Sequence, residues 1–91
     1  MGAEVQFTKD PNAVLDYQVN WAAWLGADTI STSAWTVPAG LTKGAEANTT
    51  TTTTVWLSSG TAGSVYTVTN RIVTAGGRTE DRSFEIRVAE R

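Results

Sequence analysis

Along most of this 91-residue chain, apolar and polar residues alternate one for one. In "VLDYQVNW" (14–21), Leu15, Tyr17, Val19 and Trp21 fall on one side and Asp16, Gln18 and Asn20 on the other. In "VYTVTNRI" (65–72), Tyr66, Val68 and Ile72 oppose Thr67, Thr69 and Arg71, and in "RSFEIRV" (82–88), Phe84, Ile86 and Val88 oppose Ser83, Glu85 and Arg87. "EVQFT" puts Val5 and Phe7 together, and "AWTV" pairs Trp35 with Val37. A period of two is the side-chain spacing of a strand, and one wet face per strand is characteristic of antiparallel sheets. No helical stripe of useful length interrupts it.

Turn chemistry separates the alternating segments. "KDPN" (9–12), "LGAD" (25–28), "VPAG" (37–40), "SSGTAG" (58–63) and "AGGR" (75–78) are turn clusters, and Pro11 and Pro38 sit at strand ends, where proline does least harm to a sheet. The punctuation predicts seven strands, at about 4–9, 14–24, 29–37, 41–46, 51–58, 64–75 and 82–89. The expected fold is all-β: one small immunoglobulin-like or fibronectin III-like β-sandwich of about seven antiparallel strands over residues 1–91.

The threonine run at 49–54 fits that reading. Threonine is β-branched and favours an extended backbone, so "TTTTTTVWL" reads as a strand, whereas a flexible linker would use Gly, Ser and Pro. Downstream, Leu57 ends a strand, a glycine-containing loop follows, and Tyr66 stands two residues before Val68. This pattern resembles a tyrosine corner, in which the phenol bonds back to the loop backbone and fixes the crossover between sheets. Leu57, Tyr66, Val68, Trp21 and Trp35 are therefore expected to be structural: the corner and the core.

Composition allows one thin domain. A chain this short buries only about 60–65% of its unfolded surface, and with no cysteine it has neither disulfide nor thiolate site to reinforce it. The lack of cysteine suits a reducing compartment. A hydrophobic fraction of 41% with four tryptophans is too apolar for a disordered chain. No apolar run approaches the roughly 20 residues that span a bilayer, and the N-terminal stretch reads as neither a signal peptide nor a myristoylation site. The net charge of −2 does not supply the basic field of a nucleic-acid binder. The charge is unevenly spread, with Lys9 and Lys43 against five acids in residues 1–65 and five arginines against four acids in residues 66–91. That asymmetry could favour head-to-tail association, although charge on this scale usually serves solubility.

Chemistry is nearly absent. Without histidine there is no imidazole base, triad or metal ligand. "GTAGS" is not a nucleophile elbow, and neither "SGTAGS" nor "TAGGRT" is a phosphate loop opening a helix. Asp10, Asp16 and Asp28 read as turn and outer-face residues rather than a glycosidase pair. Glu80 and Asp81, with Arg78 and Arg82, read as a solvated charged turn. No acidic cluster suits calcium. The expectation is no enzyme, no metal and no cofactor.

What remains is surface. With Val55 and Leu57 inward, Thr54 and Trp56 point outward, and Trp24 falls out of phase with Trp21, which takes it off the core face unless a bulge resets the register. Trp24, Trp56 and Thr54 are therefore candidate partner-binding residues, since outward tryptophans favour interfaces. The plain alternative is that each ring lies under a neighbouring loop.

At this point the motifs K-D-P-x-A-x-L-D-Y (9–17), W-x-x-W-L-G (21–26), V-W-L-S-x-G-T-A-G (55–63) and T-N-R-I-V-T-A-G-G-R-T (69–79) carry a resemblance. The chain resembles a group of small tailed-phage virion proteins, the fibre–tail adaptor or head–tail junction proteins with an immunoglobulin-like fold. The likeness covers roughly 9–88 and is weakest over 41–50, and none of its motifs encodes chemistry. It implies a bacteriophage virion structural protein that joins tail, fibre or neck components by protein–protein contacts. It also implies other phage structural proteins as partners in a symmetric multi-copy assembly, location in the virion, and the host cytoplasm during assembly. Capsid decoration, or a carbohydrate-binding immunoglobulin-like module with Trp24 and Trp56 as a stacking platform, stays open as the alternative.

Overall fold

In the computed structural model, which describes residues 5–90, the alternating segments form two facing sheets. The strands are β1 (Gln6–Lys9), β2 (Leu15–Asn20), β3 (Ile30–Thr36), β4 (Leu41–Asn48), β5 (Thr52–Ser59), β6 (Val65–Thr74) and β7 (Thr79–Val88), and one turn of helix, α1 (Ala22–Leu25), follows β2. One sheet has the order β1-β7-β6-β3 and the other β2-β5-β4. The chain is thus a small all-β sandwich, with residue 4 of the first expected strand lying outside the described residues.

Two expectations are corrected. The sheets are not wholly antiparallel, because β1 runs parallel to β7, with Gln6 opposite Glu85 and Lys9 opposite Val88. The turn at 10–13 does not fold the chain back on itself; it carries it from one sheet to the other, which leaves β1 beside the last strand. Strand direction of this kind depends on a partner nearly eighty residues away and leaves no local trace. The strand expected over 14–24 ends at Asn20. There the Asn20 side chain accepts a hydrogen bond from the Ala22 backbone N–H at 3.0 Å. Trp21 takes helical angles (φ −96°, ψ −1°). "AAWL", built mostly of the best helix formers, then closes one turn.

The core has two parts. Tyr17, Trp35, Leu41, Val55, Leu57, Val68, Phe84, Ile86 and Val88 form the larger, and Trp21, Leu25, Ile30 and Ile72 the smaller. Along β6 the inward side chains run Val68, Asn70, Ile72, so a buried asparagine sits where the two parts meet. Its Oδ1 accepts from Trp21 Nε1 at 3.0 Å and from the buried Thr53 hydroxyl at 2.8 Å. Its Nδ2 donates to Ser33 Oγ at 2.9 Å and to the Ala34 carbonyl at 3.1 Å. All four hydrogen-bonding capacities of the amide are used, which is the condition for a polar group to be tolerated in a core. The group joins β5, β6, β3 and the β2–α1 junction.

Two further ties hold the far end. Lys9, in phase with Val5 and Phe7, is buried, and its ammonium donates to the Ser59 carbonyl at 2.7 Å and the Asp10 carbonyl at 2.9 Å. Burial pushes its pKa below the usual lysine value, with Asp10 partly opposing the shift. The Tyr66 hydroxyl accepts a hydrogen bond from the Thr61 backbone N–H at 3.0 Å, across the loop between β5 and β6. That hydrogen bond pulls its pKa below the usual tyrosine value. The ring lies against Gly40, where an added Cβ would stand 2.8 Å from Tyr66 Cε1.

Two mutations follow from these ties. Asn70→Ala leaves the Thr53 hydroxyl proton without its acceptor and the Trp21 N–H with only its longer bond to Thr53 Oγ1 at 3.3 Å in the core, and denaturant unfolding should show a loss of about 2–4 kcal/mol. Tyr66→Phe removes one hydrogen bond whose donor can turn to water, so its midpoint should fall by a smaller amount, about 0.5–1.5 kcal/mol; an unchanged midpoint would mean the hydroxyl contributes nothing.

Candidate functional site

The outer face of the β2-β5-β4 sheet is built from short polar residues and one large ring. Along β5 the buried residues are Thr53, Val55 and Leu57, so Thr52, Thr54, Trp56 and Ser58 point out. Opposite them on β2 stand Asn20, Gln18 and Asp16, with Asp16 paired to Trp56 and Gln18 to Thr54. On the other side β4 bulges between Lys43 and Glu46, opposite Trp56. Gly44 lies there, where an added Cβ would contact Trp56 Cβ at 3.4 Å. Trp56 keeps 41% of its surface exposed in the central strand of the sheet. The ring thus stands partly open between Asp16 on β2 and the Gly44 bulge on β4.

Trp24 has different surroundings. It lies half-buried in α1, packs T-shaped on Trp21 at 5.6 Å between ring centroids, and carries the Arg78 guanidinium 4.2 Å above its ring. A stacking platform shared by Trp24 and Trp56 therefore lacks its second free ring. Arg82 likewise lies 4.4 Å over the Trp21 ring and donates to the Asn20 carbonyl at 3.1 Å. The segment read as a solvated charged turn is thus corrected. Residues 79–82 belong to β7, and Arg78 and Arg82 cover the tryptophans, because a guanidinium keeps water on its rim while its face lies on a ring. Arg71 and Asp81 form an exposed two-bond pair at 2.8 and 3.0 Å.

Asp28 fastens this end. Its carboxylate accepts from the backbone N–H groups of Thr29 at 2.8 Å and Gly76 at 3.0 Å and from Arg78 Nε at 3.1 Å. Arg78 also donates to the Leu25 carbonyl at 2.9 Å, covering the end of α1. Gly76 is needed for the approach, since an added Cβ would lie 2.8 Å from Asp28 Oδ2. The Thr74 hydroxyl foremost, then the Thr29 N–H, followed by Gly76 and Arg78, hold the Asp28 pKa at about 2 against the opposing effect of burial. Sequence reasoning placed Asp28 in a turn but had no means of seeing that the 75–78 turn supplies its donors.

Among the described residues no group of three or more acids could hold a metal ion. No helix among them is long and apolar enough to cross a membrane. The family described as "Podophage GP4 fiber-tail adaptor protein gp77" matches residues 9–87, and the chain belongs to that family. No curated protein matches the chain.

The Asp28 clasp has a pH signature. Because its folded pKa lies below the unfolded value, its contribution is complete above about pH 4 and is lost as the pH falls through about 2. Unfolding followed from pH 5 to pH 2 should show stability declining toward acid, with a shallower decline in Asp28→Asn.

Proposed function

We propose that this member of the fibre–tail adaptor family is a structural virion part that docks on neighbouring tail or fibre proteins through the outer face of the β2-β5-β4 sheet, with Trp56 as its anchor. The observation that carries the reading is the placement of Trp56. A 41% exposed tryptophan at the middle of a sheet face contributes little to its own domain and is the kind of residue that dominates binding energy when covered. Thr54, Gln18 and Asp16 beside it provide a polar surround. Trp24 then serves by holding the end of the sandwich rigid, since Arg78 and Trp21 already occupy its ring.

The immunoglobulin-like assignment belongs to this reading. Strands β2-β5-β4 facing β3-β6-β7 correspond to the B-E-D and C-F-G arrangement of that fold, with the first strand moved beside the last. The buried Trp35 on the third strand and the Tyr66–Thr61 hydrogen bond at the start of the sixth support it. A rigid sandwich presenting one flat face suits repeated use around a symmetric tail, with the protein made in the host cytoplasm and ending in the virion.

The test separates stability from docking. Trp56→Ala should leave the thermal midpoint of the isolated domain nearly unchanged while reducing the amount of protein carried by purified particles. Burying such a ring at a hot spot contributes about 2–4 kcal/mol, enough to lower occupancy strongly. A midpoint that drops as for a core truncation, or particles carrying the normal amount, would refute the reading.

A further inference from the structure

The side of the sandwich where β1 and β2 form the edges of their sheets is open. A groove of about 910 Å³ runs there, lined by Val5, Phe7, Val19, Trp24, Arg82 and Phe84 among others. At the start of β2, outside the lining of the groove, Val14 and Leu15 are 61% and 40% exposed, although Leu15 lies in phase with the buried Tyr17. An inward-phase leucine that stays wet marks a place where the sheet stops one strand short of covering its core.

The edge of β2 is well formed. Its register with β5 runs without a shift from Leu15–Leu57 to Asn20–Thr52, whereas β3 and β4 are each interrupted by a bulge. Bulges and charges are the usual protection of a sheet edge, and β4 has both, with the Lys43–Glu46 pair spanning its bulge at 2.7 Å. The direction of the backbone groups on β2 follows from one bond. Trp21 N donates to the Thr51 carbonyl at 2.9 Å, so residues 15, 17, 19 and 21 face β5 and residues 16, 18 and 20 face away. Arg82 takes the Asn20 carbonyl. The N–H and C=O groups of Asp16 and Gln18 and the N–H of Asn20 remain directed outward, over a strand roughly 20 Å long.

We propose that β2 is the acceptor edge for an extended, basic segment of a partner virion protein, which adds to the β2-β5-β4 sheet as a fourth strand. Main-chain hydrogen bonds to Asp16 and Gln18 would hold it, and its alternate side chains would be apolar where they enter the groove over Val19 and Phe7. Charge decides the occupant. Of the charges here that form no ion pair among the described residues, Asp16 beside the edge and Glu80 in the groove outnumber Arg82. Lys or Arg on the outward positions of the added strand would complement Asp16, whereas a second copy would bring the same net negative charge. The proposal rests on the adaptor reading but uses the main-chain edge of β2 rather than the Trp56 ring; the Asp16 and Gln18 side chains border both.

The experiment is hydrogen–deuterium exchange on the full chain, alone and bound in purified particles, read on the peptide covering 14–20. The amides of Asp16, Gln18 and Asn20 should exchange quickly in the free protein and slow by roughly tenfold or more in the particle, while those of Tyr17 and Val19 are protected in both. Gln18→Ala, which loses the side chain shared with the Trp56 face but keeps the N–H and should be incorporated more than the proline variant, is the control for the matching variant, Gln18→Pro. The proline removes an outward N–H without touching the β2–β5 ladder, so the isolated domain should stay folded by circular dichroism while particle incorporation falls. If the wild-type chain is carried by particles and its edge amides exchange as in the free protein, the strand-addition proposal is overturned and the adaptor reading stands. If the wild-type chain is not carried at all, both fall. Protection that appears in the isolated protein as its concentration rises would assign the edge to a second copy and overturn the partner assignment. The exchange measurement decides the matter even if Gln18→Pro fails to fold.

Discussion

The Asn70 side chain is the point on which the two halves of this molecule agree. It lies between the larger and smaller parts of the core and makes two bonds as acceptor and two as donor. An apolar residue of the same size would let the sheets slide against each other at little cost, because apolar contact has no direction. The amide permits one arrangement only, in which Trp21, Thr53 and the Ser33–Ala34 segment all reach it. Fixing Trp21 fixes the start of α1, and α1 in turn places Trp24 under Arg78 and Leu25 in the core. A domain without disulfides and with a thin core gains its definition from a saturated polar group of this kind.

Sequence periodicity carried most of the architecture. Tyr17, Val55, Leu57, Val68, Phe84, Ile86 and Val88 are buried at the positions where alternation sends them inward, and Trp56 is exposed where it sends it out. The same rule holds a clue to Asn70, Thr53 and Lys9, which sit in inward phase. A polar residue among apolar ones on one strand face is readable as a buried bond, but its partners lie on other strands and cannot be named from spacing. What alternation could not show is equally specific. The helical turn at Ala22–Leu25 is four residues long, too short for a period to register. The parallel placement of β1 and the seating of Arg78 and Arg82 on Trp24 and Trp21 depend on pairings between distant segments.

The surface is uneven in a way that separates stability from contact. Where β3 and β4 form edges, a bulge interrupts the ladder, and on β4 a charged pair spans it. The outer face of the four-stranded sheet is occupied by its own bonds, among them Arg71 to Asp81, Thr69 to Ser83 and Gln6 to Glu85. Val65 and Val73 stay exposed on the same face. The other sheet shows short hydroxyl and amide groups around one indole, and its β2 edge is regular. The regular open edge and the largest exposed ring thus belong to the same sheet.

The parallel β1–β7 ladder has a mechanical meaning. The first and last strands lie side by side, and tension drawn between the two ends of the domain runs along both, in opposite senses. The bonds from Gln6–Glu85 to Lys9–Val88 are then strained together, in shear, whereas a hairpin pulled at its open end gives way one rung at a time. Just beyond, the buried Lys9 ammonium rivets the end of β1 to the Ser59 carbonyl of the opposite sheet. A part that transmits load between two bodies is best loaded this way, for the whole clamp must fail at once before the sandwich can open.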